Sequence, residues 1–90
     1  MTAMVQLRLP VDVVHVGLAR LVVMQAARQF GMDDERIQDL KVAVSEATTN
    51  AILSHRRAGN DDPVVLTFGQ IDSGQFQVTV ADMGSGFEPS

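Results

Sequence analysis

Two short stretches of this chain carry side chains whose types and spacing could do chemistry. The first is "VSEATTNAI" at 44–52, where Glu46 and Asn50 lie four residues apart. Residues four apart on a helix share one side, so a carboxylate and an amide would stand one above the other. With Asp39 they form a polar row about 100° from the neighbouring apolar positions, at the edge of a packed layer, and the small residues Ala47, Thr48 and Thr49 between them would leave space above it. Two readings are open. The pair is ordinary solvated surface, or it is two oxygen donors converging on a divalent cation and phosphate. Mg²⁺ suits the second reading, because it takes few protein ligands and keeps several waters. A carboxylate so placed can also orient an attacking hydroxyl or accept its proton.

The second stretch, "VADMGSGFEPS", closes the chain. Asp82 stands at the end of an alternating apolar run, and Gly84 and Gly86 follow it. A carboxylate there can accept a hydrogen bond from the exocyclic amine of a base, and glycine lets backbone approach a ligand closely. The alternative is a plain glycine-rich turn after a strand.

The elements that must position these groups are legible in the periodicity. Val5, Leu7 and Leu9 alternate with polar residues and stop at Pro10, which predicts a strand. Asp12 can cap a helix reaching Phe30, with Val14, Leu18, Leu21, Val22, Ala26 and Phe30 as its buried stripe and Gly31 as its stop. Asp33, Asp34 and Glu35 suit the start of a second helix, on which Ile37, Leu40, Val44, Ala47 and Ala51 mark a core face. Arg56 and Arg57 suit its end, Gly59 can terminate it, and "GNDDP" follows as a loop. Val64, Leu66 and Phe68 predict a strand, "DSG" at 72–74 a hairpin turn, and Phe76, Val78 and Val80 a strand with one wet face. The order β-α-α-β-β predicts an α+β two-layer sandwich, with both helices on one face of a mixed or antiparallel sheet.

Composition narrows the classes. Ninety residues make one domain, and 46% apolar residues make it globular. The absence of cysteine excludes a disulfide framework or thiolate metal site. Net charge is −4, with no basic cluster beyond Arg56-Arg57, which argues against nucleic-acid binding. "MTAMVQLRLP" is no signal peptide, and "VGLARLVVMQAA" is interrupted by Arg20 and Gln25 and too short to span a bilayer. A cytoplasmic location with no membrane attachment fits these features.

Taken together, V-S-E-A-x-T-N-A at 44–51 and D-x-G-x-G-F-x-P from Asp82 resemble the nucleotide site of the Bergerat-type (GHKL) ATPases. "DLKVAVSEATTNAI" is most similar, within that superfamily, to the bacterial anti-sigma-factor serine kinases. The resemblance implies a partial histidine-kinase-like ATPase fold over residues 1–90 that binds ATP or ADP with Mg²⁺. By it, Glu46 is the general base or water-orienting acid, Asn50 ligates Mg²⁺, Asp82 binds the adenine amino group, and Gly84 and Gly86 let the backbone pass close to the nucleotide. Arg20 falls at a partner-contact position. The implied reaction moves the γ-phosphoryl of ATP to a serine of an anti-sigma antagonist, and the implied partners are that antagonist and a sigma factor. A catalytically inactive module that sequesters either partner is the alternative. An ATPase domain of a two-component sensor fits less well, because neither His15 nor His55 has the setting of a phospho-accepting histidine.

Two departures from the family pattern stand out. The family's histidine four residues after the asparagine is Ser54 here, which leaves the adjacent His55 as a satisfied helix-end residue. Family members also continue beyond the point matching Ser90 through a lid over the phosphates and a further strand and helix. The 90 residues thus correspond to the N-terminal portion of the domain. That predicts weak nucleotide binding, little kinase activity from these residues alone, and association into a homodimer or larger assembly through a bare sheet edge and bare apolar surface.

Overall fold

The structure is a computed structural model that describes residues 3–82 and 85–87. The chain runs β1 (Ala3–Leu9), a short 3₁₀ turn (Val13–His15), α1 (Val16–Phe30), α2 (Asp34–Arg57), β2 (Val64–Gln70), β3 (Phe76–Asp82) and β4 (Ser85–Phe87). The strands form one antiparallel sheet in the order β1-β2-β3-β4, and α1 and α2 pack on each other and on that sheet. The α+β architecture read from the sequence is present, and the sheet is antiparallel throughout.

Register explains the core. Leu7 opposes Leu66, Leu66 opposes Val80, and Phe68 opposes both Val5 and Val78. Alternate residues of a strand share a face, so these side chains form the layer under the helices. Val64, Leu66, Phe68, Phe76, Val78 and Val80 are all buried there, with Ile37, Leu40, Val44, Ala51 and Ile52 of α2 above them.

The ends of the helices follow local chemistry. Asp33 accepts a hydrogen bond from the Arg36 amide at 2.8 Å, and Asp34 and Glu35 fill the first turn of α2. Gly31 takes φ 98°, and its amide and that of Met32 close α1 onto the Arg28 and Ala27 carbonyls. The predicted turn at 72–74 is a hairpin turn in which Ile71 bonds Gln75 and Gly74 bonds Ile71.

Three expectations are corrected. Asp12 caps the 3₁₀ turn rather than α1 itself, accepting from the Val14 amide at 3.0 Å. The buried stripe of α1 is Ala19, Val23, Met24 and Ala27, whereas Val14, Leu18 and Leu21 are 71%, 53% and 65% exposed and Phe30 is also exposed. Two alanines, with Val23 and Met24, occupy the face turned inward, and Leu18 and Leu21 are left outside it. Finally, β3 is not a bare terminal edge along its whole length: Val80, Ala81 and Asp82 pair with Phe87, Gly86 and Ser85 of β4.

Candidate functional site

The middle of α2 carries the site. Its core face holds Val44, Thr48, Ala51 and Ile52 against the sheet. Glu46 and Asn50 fall on the exposed side, one turn apart. With Ser45 and Thr49 they line a shallow depression of about 350 Å³. The depression is therefore bounded by two adjacent rows of the helix, 45/49 and 46/50.

The two rows differ in how their polar groups are used. Ser45 Oγ donates to the Lys41 carbonyl at 2.8 Å, and Thr49 Oγ1 donates to the Ser45 carbonyl at 2.7 Å. Both hydroxyl protons are thus turned back onto the helix, a local bond that serine and threonine readily make within helices. Glu46 and Asn50, by contrast, have no hydrogen-bond or ion-pair partner among the described residues. The helix presents to solvent one carboxylate and one amide that no described residue engages.

Arg20 approaches from α1. It is half-buried, and its Nη1 donates to Ser45 Oγ at 3.4 Å. The arginine singled out in the sequence therefore stands beside the Glu46–Asn50 depression, a contact that 25 residues of separation hid from the sequence. Ser45 and Thr49 were also missed as lining residues. The available signal was that each directly precedes a candidate ligand, at 46 and 50.

The remaining candidates come from the other end of the sequence. Asp82 closes β3, its backbone paired with Ser85, and Gly86 pairs with Ala81 in β4. Gly84 lies outside the described residues. Thr48, expected to line open space, is instead fully buried, and its Oγ1 has no partner among the described residues. His55, read from the sequence as a satisfied helix-end residue, lies in the last turn of α2 and is buried. Its Nδ1 lies 2.9 Å from the Asp62 carbonyl, so it donates there, while Nε2 has no partner among the described residues.

Among the described residues no group of three or more His, Cys, Asp or Glu could hold a metal ion. A cation at Asn50 would rest on one amide oxygen, completed by water and ligand oxygens, with the Glu46 carboxylate one turn away. That donor set suits Mg²⁺ better than a cation needing a full protein cage. No helix among the described residues is long and apolar enough to cross a membrane.

Two helices pack on one antiparallel sheet, and the second carries a Glu and an Asn one turn apart that have no partner among the described residues. The chain belongs to the histidine kinase-like ATPase domain family, whose model matches residues 9–90. Relatives within reach of direct comparison are narrower in name. The chain is 34% identical over 84 residues to "Serine-protein kinase RsbW" of Bacillus velezensis, covering 93% of this chain and 52% of that protein. It is 33% identical over 84 residues to the protein of the same name in Bacillus subtilis, again covering 93% and 52%. For the Listeria monocytogenes protein of that name the identity is 37% over 84 residues, covering 93% and 53%. The chain spans about half the length of the curated relatives it matches.

Proposed function

We propose that this chain forms the nucleotide-binding part of a cytoplasmic anti-sigma factor that is also an ATP-dependent protein-serine kinase. The observation that carries the reading is the contrast on α2: Ser45 and Thr49 turn their hydroxyls inward, while Glu46 and Asn50 are left unpartnered over one depression. Membership of the ATPase family and relatives named serine-protein kinases support it.

In this reading the Asn50 amide oxygen is offered to Mg²⁺, and Glu46 orients the serine hydroxyl of the acceptor and accepts its proton. Bound Mg-ATP supplies the phosphoryl group and the neutralisation of its charge. Phosphoryl transfer depends mainly on positioning and electrostatics, which suits a site with so few reactive groups. Asp82 receives the adenine amino group, and Gly84 and Gly86 give the backbone room beside the nucleotide. Lengths along the two elements favour including Asp82. The Phe30 and Phe76 rings meet at 5.6 Å, so β3 starts beside the corner from which α2 also leaves. Six steps along β3 cover about 20 Å, a length that takes about 13 residues of helix. Counted from Asp34, where α2 begins, that length reaches about Ala47, between Glu46 and Asn50.

Arg20 contacts the protein partners, a sigma factor and its antagonist. Self-association uses the bare apolar strip where Val5, Leu21, Val22, Ala26 and Phe68 line a groove of about 410 Å³ between α1 and the sheet. The test is mutational and uses the full polypeptide. Asn50→Ala abolishes Mg-dependent ATP binding in calorimetry, and Glu46→Gln keeps ATP and partner binding while phosphorylation of the antagonist is lost. A wild-type protein that phosphorylates no antagonist, in which Glu46→Gln changes nothing and Arg20→Ala loses partner binding, would leave a binding module in place of an enzyme.

A further inference from the structure

We infer that Ser45 is a positioning residue that holds Arg20 away from Glu46, keeping the carboxylate free for the acceptor hydroxyl. The inference rests on the kinase reading above and deepens it. Arg20 carries a permanent positive charge, and its contact on α2 is the residue next to Glu46. Yet neither Arg20 nor Glu46 has an ion-pair partner among the described residues. A guanidinium and a carboxylate favour a bidentate pair, and that pair would occupy the oxygen lone pairs a general base needs. The group that Arg20 does bond is the hydroxyl of Ser45, the residue next to Glu46.

The Ser45 hydroxyl is suited to keeping the two charges apart. Its proton is committed to the Lys41 carbonyl at 2.8 Å, so its lone pairs face outward, where Arg20 Nη1 donates at 3.4 Å. Being neutral, it anchors the cation without adding a negative charge beside Glu46. Alanine at this position would release Arg20 toward the nearest free carboxylate. Threonine would keep the hydroxyl.

The test is basal Mg-ATP hydrolysis by the protein without its partners, in which water is the acceptor that Glu46 orients and ADP and phosphate are the products. Ser45→Ala lowers kcat about tenfold, part of the hundredfold or more that a general base supplies, with KM for Mg-ATP little changed. Ser45→Thr retains the wild-type kcat. Adding Arg20→Gln to Ser45→Ala restores turnover, because the competing cation is gone. An independent readout needs no activity: urea unfolding of Arg20→Gln, Glu46→Gln and the double variant. Their effects multiply without coupling when Ser45 is present. When the same cycle is built on Ser45→Ala, they couple by about three- to fivefold in the unfolding equilibrium constant, the range of an exposed ion pair. Uncoupled effects in both backgrounds, or a kcat loss that Arg20→Gln does not relieve, overturn the inference. A wild-type protein that neither binds nor turns over ATP would instead refute the kinase reading, and the unfolding cycle would still decide whether Ser45 separates the two charges.

Discussion

Thr48→Val should make this protein more stable, which is the reverse of the usual effect of a core substitution. Thr48 is 0% exposed, and its Oγ1 has no hydrogen-bond partner among the described residues. A buried hydroxyl without a partner costs about 1–3 kcal/mol in lost hydration. Valine has nearly the same shape, and its helix propensity is close to that of threonine. The exchange therefore removes the penalty and adds a methyl to the layer formed by Val44, Ala51 and Ile52. We expect a gain of about 1–2 kcal/mol, and since each kcal/mol moves the midpoint of a domain this small by about 4–8 °C, Tm should rise by at least about 4 °C. Far-UV circular dichroism is the probe, because the chain has no Trp or Tyr to report by fluorescence. Thr49→Val is the control: its hydroxyl donates to the Ser45 carbonyl at 2.7 Å, so its loss should cost about 0.5–1 kcal/mol. Thr48→Val that lowers Tm would show the hydroxyl to be bonded in solution and would refute the reasoning.

Other outcomes follow from the same structure. Phe68→Ala, at a residue 1% exposed, should cost about 3–5 kcal/mol in urea unfolding and leave little folded protein. Asp33→Ala removes the cap on α2 and should cost about 1 kcal/mol in the same assay. Gly31→Ala forces a side chain into φ 98° and should cost about 1 kcal/mol or more, seen as a drop in Tm. Leu21→Glu, at a position 65% exposed, should leave the far-UV circular dichroism spectrum unchanged while shifting light scattering from dimer toward monomer; an unchanged mass would place any self-association elsewhere.

The helices show why some of this fold could be read from the sequence and some could not. On α2, Ile37 and Leu40 each lie between charged or polar residues and Val44 and Ala51 continue them at helical spacing, so the stripe reads as the buried face even though Val42 and Leu53 are exposed beside it. On α1, apolar residues occupy most of the circumference from Val16 to Ala27. Periodicity then fixes the helix but not its inward face. Close approach to α2 and the sheet selects Ala19 and Ala27 over the bulkier Leu18 and Leu21, a choice set by space that hydropathy does not record. The strand β4 escaped for another reason: Ser85, Gly86 and Phe87 include little of the β-branched character that marks strands, and pairing with β3 supplies the order. At the site, Glu46 and Asn50 were legible because one turn of helix is a local relation. The Arg20–Ser45 contact depends on how two helices cross, so spacing along the chain gives no hint of it.

At 24 residues, α2 has a length of about 36 Å at the usual helical rise, close to the 38 Å long dimension of the whole molecule. It is a spar running from one tip of the protein to the other. Glu46 stands twelve residues from Asp34 and eleven from Arg57, at the spar's midpoint. Val44, Thr48, Ala51 and Ile52 seat the middle of the spar on the protein, so a pull at either tip, at the Gly31 corner or at the Arg56–Arg57 end, displaces the ends most and the centre least. The spacing between carboxylate and amide is therefore insulated from whatever grips the ends, and a partner seated there would tilt the pair as a unit without prising it apart.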